Sequence, residues 1–452
     1  MKKKKFSLTT TQIILLNFFA VILIGGLLLM LPISSATRKP AAVIDAFFTA
    51  TTATCVTGLV TVPTATSWSV FGQAVILILI QIGGIGIITL VMGTMLLFNR
   101  KIGLSDRMLI QDSFNLNTLS GLVMFVKKVI IGTVAAEALG ALFYMTVFIP
   151  EFGKKGIWIS VFNSVSAFCN AGMDIIGENS LSDYAANPII NITTSLLIII
   201  GGLGYFVWWD VLRVIKMKTI KKCSFFRSLT FHSKIVLVTT LTLLLGGAVL
   251  IFAFEYSNPL TLGKRPLSDK LQIAFFQSVT TRTAGFASIS QKELTNGASI
   301  VSLLLMFIGG SPIGTAGGVK TVTVAVLFFT AVSMIRNKAS VSLFNRSFSR
   351  QSINKAIAVI FSSFSIILVS SLLLSTTNKA SFLDIIFETV SATSTVGLSR
   401  DLTPTLNIFG KIIIIFTMYF GRVGPISLAL ALSGKRTGQN IIKDPTEEIS
   451  VG

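Results

Sequence analysis

Four segments of this 452-residue chain end in a glycine, and each has a phenylalanine ten residues upstream: Phe48 to Gly58, Phe162 to Gly172, Phe275 to Gly285 and Phe387 to Gly397. Consecutive glycines lie 114, 113 and 112 residues apart. A second mark follows each by 24 to 29 residues: Gly83-Gly84, Gly201-Gly202, Gly309-Gly310, then Gly421 with Gly424. A fixed period means that one structural unit is used four times. Like units that run in parallel surround a common axis, so this spacing constrains the fold more than any composition does.

The solvent of the fold is lipid. The chain is 52% hydrophobic and 12% charged, where a soluble domain carries about 25% charge. Apolar runs near 13–31, 73–98, 129–149, 189–209, 235–254, 298–308 with 319–335, 356–374 and 408–432 suit spanning helices of roughly 20 residues. Two per repeat predict eight. Between each pair lies a shorter stretch leading into the repeated glycine, too short to span and read as re-entrant. The expected fold class is therefore an all-α polytopic membrane protein. It has four parallel helix–pore helix–helix repeats, with eight spanning and four re-entrant helices around a pseudo-fourfold pore. The repeats fall at 1–100, 101–214, 215–337 (with an intramembrane gating loop) and 338–452 (with the C-terminal tail). The run 13–31, behind Lys2–Lys5, is too long for a signal peptide and reads as the first span. The longest polar stretches, 213–234 and 336–355, read as loops.

Charge sets the orientation. With both termini and the inter-repeat loops cytoplasmic, that side holds 24 of the 38 Lys and Arg residues and the other side 12. The arrangement obeys the positive-inside rule. The net charge of +20 is thus a topology signal, and no folded basic domain exists to bind nucleic acid. Contact with anionic membrane lipid or an acidic cytosolic partner fits the basic face. Cys55, Cys169 and Cys223 have no metal-ligand spacing, and the single His232 lies in a cytoplasmic loop. The chain does not read as an enzyme: no nucleophile elbow, zinc-binding helix or paired-carboxylate motif is present.

The repeated loops are Cys55-Val56-Thr57-Gly58-Leu59, Cys169-Asn170-Ala171-Gly172-Met173, Arg282-Thr283-Ala284-Gly285-Phe286 and Ser394-Thr395-Val396-Gly397-Leu398. Glycine permits backbone angles that aim successive carbonyls the same way. Four such loops around an axis make rings of oxygens that replace the hydration shell of a monovalent cation. The expected filter residues are Val56, Thr57, Gly58, Asn170, Ala171, Gly172, Thr283, Ala284, Gly285, Thr395, Val396 and Gly397. Asp45, Asp269 and Asp384 lie near the starts of three short helices, where a carboxylate suits the positive helix end. The second repeat has no carboxylate there. The plainer account, buried glycine turns between packed helices, suits one loop better than four in register.

Two features are expected beneath the filter. The third inner helix is interrupted by Gly309, Gly310, Ser311, Pro312, Ile313, Gly314, Thr315, Ala316, Gly317 and Gly318, a composition no stable membrane helix has. Irregular backbone at membrane depth lines water, so this segment is a gate candidate, with close helix packing the plainer account. Arg422, inside the last apolar run, costs about 2.5–3.5 kcal/mol to insert and faces a cavity or a partner. Facing the axis, it is a barrier to cations; the competing account pairs it with Glu137. Lys320 is expected to anchor the glycine-rich segment rather than to meet the ion.

On these motifs, and on Gly421-Arg422-Val423-Gly424-Pro425, the whole chain resembles the Trk/Ktr/HKT superfamily of potassium transporters, in particular its KtrB-type membrane subunit. The first repeat starts near residue 11, without the extra leading helices of TrkH-type relatives. The resemblance implies that the four loops are the selectivity filter, the broken third inner helix is the gating loop, and Arg422 lines the pore. It implies potassium (K+) as the transported ion, with sodium (Na+) compatible as an activator. It also implies a homodimer with one pore per chain in a bacterial plasma membrane. A cytosolic octameric ring of KtrA-type regulatory subunits would sit on the basic face, and nucleotides would bind only that partner. Glycine at all four filter positions matches potassium-selective members, whereas Met173 stands where an aromatic residue is common. A sodium-coupled alternating-access cation transporter is the alternative, although such folds carry inverted repeats and these are parallel.

Overall fold

The computed structural model describes residues 10–86, 89, 122–177, 179–217, 225–338 and 340–424. Lys2–Lys5, Cys223, Pro425 and the tail beyond it lie outside the described residues. The longer helices among these residues are α1 (Thr10–Met30), α2 (Val43–Cys55), α3 (Val70–Ile85), α4 (Leu122–Phe152), α5 (Lys155–Phe168), α6 (Pro188–Leu203), α7 (Tyr205–Lys216), α8 (Phe231–Glu255), α9 (Leu267–Thr280), α10 (Asn296–Phe307), α11 (Thr321–Ile335), α12 (Arg350–Thr377), α13 (Phe382–Ser394) and α14 (Ile408–Val423). One short antiparallel hairpin, 342–343 with 346–347, interrupts this helical order before α12.

Helices α1, α4, α8 and α12 are long and apolar enough to cross a bilayer. Side chains such as Phe19, Leu142, Leu241 and Phe361 are exposed along them, as a lipid-facing surface requires. The chain is a multi-pass membrane protein. Each long helix packs against the short helix that follows it: α1 on α2, α4 on α5, α8 on α9 and α12 on α13. The short helices are the inverse of the long ones. Their C-terminal portions are buried yet rich in Ser and Thr, a composition that suits protein surroundings and not lipid.

The next helix in each segment starts at a capping side chain. Ser69, Asn187, Thr295 and Asn407 accept from backbone N–H groups at the starts of α3, α6, α10 and α14, each cap contributing about 1 kcal/mol. These helices pack onward in one direction: α3 on α5, α6 on α9, α10 on α13, and α14 back on α2. The contacts therefore close into a cycle.

Where a single span is expected over 189–209, the chain instead turns by 97° between α6 and α7. The hinge is Gly204, at φ 88 and ψ 138, a region open only to glycine. A Cβ there would come within 2.3 Å of the Pro312 carbonyl oxygen, and Tyr205 N–H donates to Ile313 O at 3.0 Å. Helices α3 and α14 end the same way, at Gly86 (φ 90, ψ 134) and Gly424 (φ 91, ψ 132). In the third segment the chain leaves α10 at Ile308 and resumes helix at Thr321. Among the described residues, then, the continuous spans are the four long helices, with the bent α6–α7 pair as a fifth.

Candidate functional site

Each short helix ends in a turn with alternating backbone handedness. Val56 (φ 54), Asn170 (φ 59), Thr283 (φ 65) and Thr395 (φ 51) are left-handed, and two residues on so are Gly58 (φ 100), Gly172 (φ 64), Gly285 (φ 82) and Gly397 (φ 98). Three of the four non-glycine positions hold β-branched residues, for which this conformation is strained.

The four turns meet. A Cβ on Gly58 would lie 2.6 Å from Ala171 O; on Gly172, 2.5 Å from Ala284 O; on Gly285, 2.4 Å from Val396 O; on Gly397, 2.2 Å from Thr57 O. Each glycine thus abuts the carbonyl that precedes the next glycine, and the fourth abuts the first. All twelve residues singled out in the turns are buried or nearly so. Thr57, Thr283 and Thr395 also keep buried hydroxyls without hydrogen-bond partners.

Hydroxyls six residues before the glycine hold three of the turns. Thr52 Oγ1 accepts from Gly58 N at 2.9 Å, Ser391 Oγ accepts from Gly397 N at 3.0 Å, and Ser166 Oγ accepts from Met173 N at 3.1 Å. This recurrence at −6 is a signal that the phenylalanine count overlooks. In the third repeat position −6 is Val279; Thr280, one residue later, reaches the chain after the turn in the opposite sense, its Oγ1 donating to Phe286 O at 2.6 Å. The phenylalanine shifts with it. Phe48, Phe162 and Phe387 are fully buried, but in α9 the fully buried ring is Phe276 and Phe275 is only partly buried. The ring and hydroxyl of the third short helix are therefore shifted together by one residue relative to the glycine of its turn, with the ring-to-hydroxyl spacing kept.

The second glycine marks are contact points. A Cβ on Gly83, Gly201 or Gly421 would fall 2.0, 2.0 or 2.1 Å from the carbonyl oxygens of Thr54, Phe168 and Thr393, respectively. Each of those carbonyls is four residues before the glycine of its turn. Gly309 departs from the pattern and abuts Gly317 instead.

The 309–320 segment is a stitched loop. Gly310 N donates to Gly317 O (3.3 Å), Thr321 N to Gly310 O (3.0 Å) and Val319 N to Phe307 O (3.2 Å). Its outer side is sewn to the glycine mark of α6, with Ser311 N donating to Gly202 O (2.9 Å) and Thr315 N to Gly201 O (3.1 Å). It also touches the turns: Thr315 Oγ1 donates to Phe168 O (3.1 Å) and to Asn170 Oδ1 (3.2 Å). A Cβ on Gly317 would meet Thr395 Oγ1 at 2.0 Å. Lys320 Nζ donates to Ala316 O (2.6 Å) and Gly317 O (3.4 Å), which places it as the anchor of the loop. Gly314 packs on the Gly201 and Gly202 carbonyls, and Gly318 has φ 65. Ile313 stands at φ 62, a strained state for a β-branched residue.

Arg422 completes the arrangement from α14. Its Nη1 donates to Thr315 O at 2.7 Å and its Nη2 to Gly83 O at 2.5 Å. The competing pairing with Glu137 does not occur: Glu137 Oε2 accepts from Gln81 Nε2 at 3.1 Å, and its Oε1 takes the Cys169 thiol at 3.8 Å. Two backbone carbonyls from different segments thus solvate the guanidinium, leaving its charge uncancelled by any carboxylate among the described ion pairs.

At the opposite ends of the short helices, Asp45, Asp269 and Asp384 occupy first turns, and α5 has no acidic residue there. Asp45 pairs with Lys411 at 2.7 Å and Asp384 with Arg400 at 2.8 Å. Partial burial opposes ionisation of Asp384, but bonds from Ser381 and Arg400 and the charges of Arg400 and Lys292 outweigh it and hold the carboxyl below its usual range. No cluster of three metal-binding side chains exists among the described residues. The donors gathered at the turns are neutral oxygens, which suit an alkali cation and not a transition metal.

Long apolar helices around buried, hydroxyl-rich short helices, with four glycine turns meeting among them, make a multi-pass membrane protein. The family model described as TrkH, cation transport protein, matches residues 2–440, and the chain belongs to the TrkH family. It is 40% identical over 422 residues to Ktr system potassium uptake protein B of Bacillus subtilis (strain 168), covering 93% of this chain and 92% of that one. It is 39% identical over 427 residues to potassium/sodium uptake protein NtpJ of Enterococcus hirae, with 93% and 92% covered. The crystal structure of the potassium transporter TrkH from Vibrio parahaemolyticus superposes with a TM-score of 0.75 at 16% identity, covering 96% of this chain and 86% of that one.

Proposed function

We propose that this protein takes up potassium across a bacterial plasma membrane through a gated filter made of the four glycine turns. The observation that carries the reading is the closed cycle in which each glycine abuts the carbonyl preceding the next: Thr57, Ala171, Ala284 and Val396. Four carbonyls around one axis supply the neutral oxygen field that replaces water around a monovalent cation. The short helices are then pore helices whose C-terminal, partly negative ends face the ion. The repeats at 1–100, 101–214, 215–337 and 338–452 are the four sectors, and the directional packing of each inner helix on the next pore helix supports that division.

In this reading the loop 309–320 closes the path beneath the filter and Arg422 clamps it. Ions move down their electrochemical gradient when the loop withdraws. Both termini are cytoplasmic. The named relatives are Ktr-system and potassium/sodium uptake proteins, and the word system fits a complex with other subunits; a homodimer under a cytosolic ring of nucleotide-binding subunits, with sodium as an activator, completes the proposal. The test is reconstitution of the full chain in liposomes. Uptake current that reverses at the potassium equilibrium potential supports a pore; flux locked to sodium in fixed stoichiometry would overturn it in favour of alternating access.

A further inference from the structure

Where the third turn, α8, α6 and the 309–320 loop come together, a small cavity leaves about 10 Å³ for the centre of a water molecule. Its wall includes Thr240, Arg282, Gly202 and Gly310, together with apolar side chains such as Leu244 and Val279. Two polar atoms in that wall are buried and unpartnered: Arg282 Nε and Thr240 Oγ1. Both residues are deeply buried, at 7% and 5% exposure.

Neither orphan is ordinary. Hydroxyls of Thr51, Thr194, Thr330 and Thr417 turn back to the carbonyl four residues earlier in their helices. Thr240 lies mid-helix and makes no such bond. Arg282 directly precedes the left-handed Thr283, and its Nη2 donates to Gly309 O at 3.2 Å, yet no carboxylate pairs with it among the described residues. Leaving a charged donor unsatisfied in a protein interior is strongly unfavourable, and a polar site of this size with two or more partners holds a water. The space is small for a halide, which is larger than water.

We propose that one buried water accepts from Arg282 Nε–H and donates to Thr240 Oγ1, and that this bridge makes Arg282 a positioning residue for the third filter turn. Through Nη2 the same guanidinium grips Gly309, where the loop begins. The water therefore joins the turn, the outer helix and the loop in one network. Its functional half rests on the potassium-filter reading; the water itself does not.

The test is an experimental density map of the full chain at a resolution that shows solvent, together with Thr240→Val and Thr240→Ser. Expected is a density peak within about 3 Å of both atoms, kept in T240S and lost in T240V. In liposomes T240V should lose about tenfold in potassium-over-sodium selectivity, the factor set by roughly 1.4 kcal/mol, while T240S restores it and melting temperature scarcely moves. An empty cavity in a well-resolved map, or an anomalous peak there in bromide, would overturn the water. Unchanged selectivity in T240V would overturn the positioning role. If T240V fails to fold, the wild-type map still decides. If wild type passes no potassium-selective flux, the filter reading fails while the density test stands.

Discussion

Arg422 Nη1 lies 2.7 Å from the carbonyl oxygen of Thr315, so a charge from α14 is directed at the backbone of the loop between α10 and α11. The second arm of the same guanidinium holds Gly83 O in the first segment. In the proposed pore a clamp of this kind adds positive charge next to the cation path, and its two hydrogen bonds tie the loop down. Removing it acts on both.

Arg422→Ala should therefore raise potassium uptake into liposomes several-fold, and its melting temperature should fall by several degrees, since two charged hydrogen bonds of about 1.5–3 kcal/mol each are lost. Uptake equal to or below wild type in folded protein would show that Arg422 is a scaffold and not a barrier.

Gly58→Ser should weaken discrimination against sodium. At φ +100 any Cβ is strained, and here it would stand 2.6 Å from Ala171 O, pushing one carbonyl of the ring outward. Competitive rubidium and sodium flux assays check it, with about a tenfold fall expected for roughly 1.4 kcal/mol of lost preference.

Ile313→Gly should stabilise the observed loop. A β-branched residue at φ 62 costs about 1–2 kcal/mol that glycine does not, so the variant should melt slightly higher and transport more slowly. Faster transport at equal abundance would mean that the strain belongs to the open state.

Two glycine substitutions should have opposite signs. Gly201→Ala places a methyl 2.0 Å from Phe168 O and should cost more than about 2 kcal/mol, since backbone must move. Gly246→Ala, mid-helix in α8 with nothing within 4 Å, should gain about 0.5–1 kcal/mol. Thermal melts of the two variants separate packing from propensity.

The Asp384–Arg400 pair predicts an acid limb. Because the carboxyl is held below its usual range, its contribution is fully present above the unfolded value of about 4 and is lost as pH falls through the lower folded value. Wild type should lose melting temperature on that descent more steeply than Asp384→Asn, which starts lower and keeps only the loss from other carboxylates such as Asp210.

The sequence already held the period of the fold. Glycine at four equal intervals, apolar runs at membrane length and basic residues on alternate loops follow from backbone freedom, lipid solvation and the positive-inside rule, all local properties. They placed Gly58, Gly172, Gly285 and Gly397 together and marked Lys320 as an anchor. Other features depend on partners far away in the chain. That the turn carbonyls form a directed cycle depends on how each inner helix packs on the next short helix. That Arg422 seeks Thr315 O and Gly83 O and not Glu137 follows from which backbone groups tertiary folding leaves within reach. The 97° bend at Gly204 likewise exists because the loop supplies Ile313 O to Tyr205 N, and the one-residue shift to Phe276 and Thr280 appears only when ring burial and hydroxyl contacts are seen together. Periodicity is written residue by residue, whereas the choice among competing partners is made only when distant helices and loops pack together.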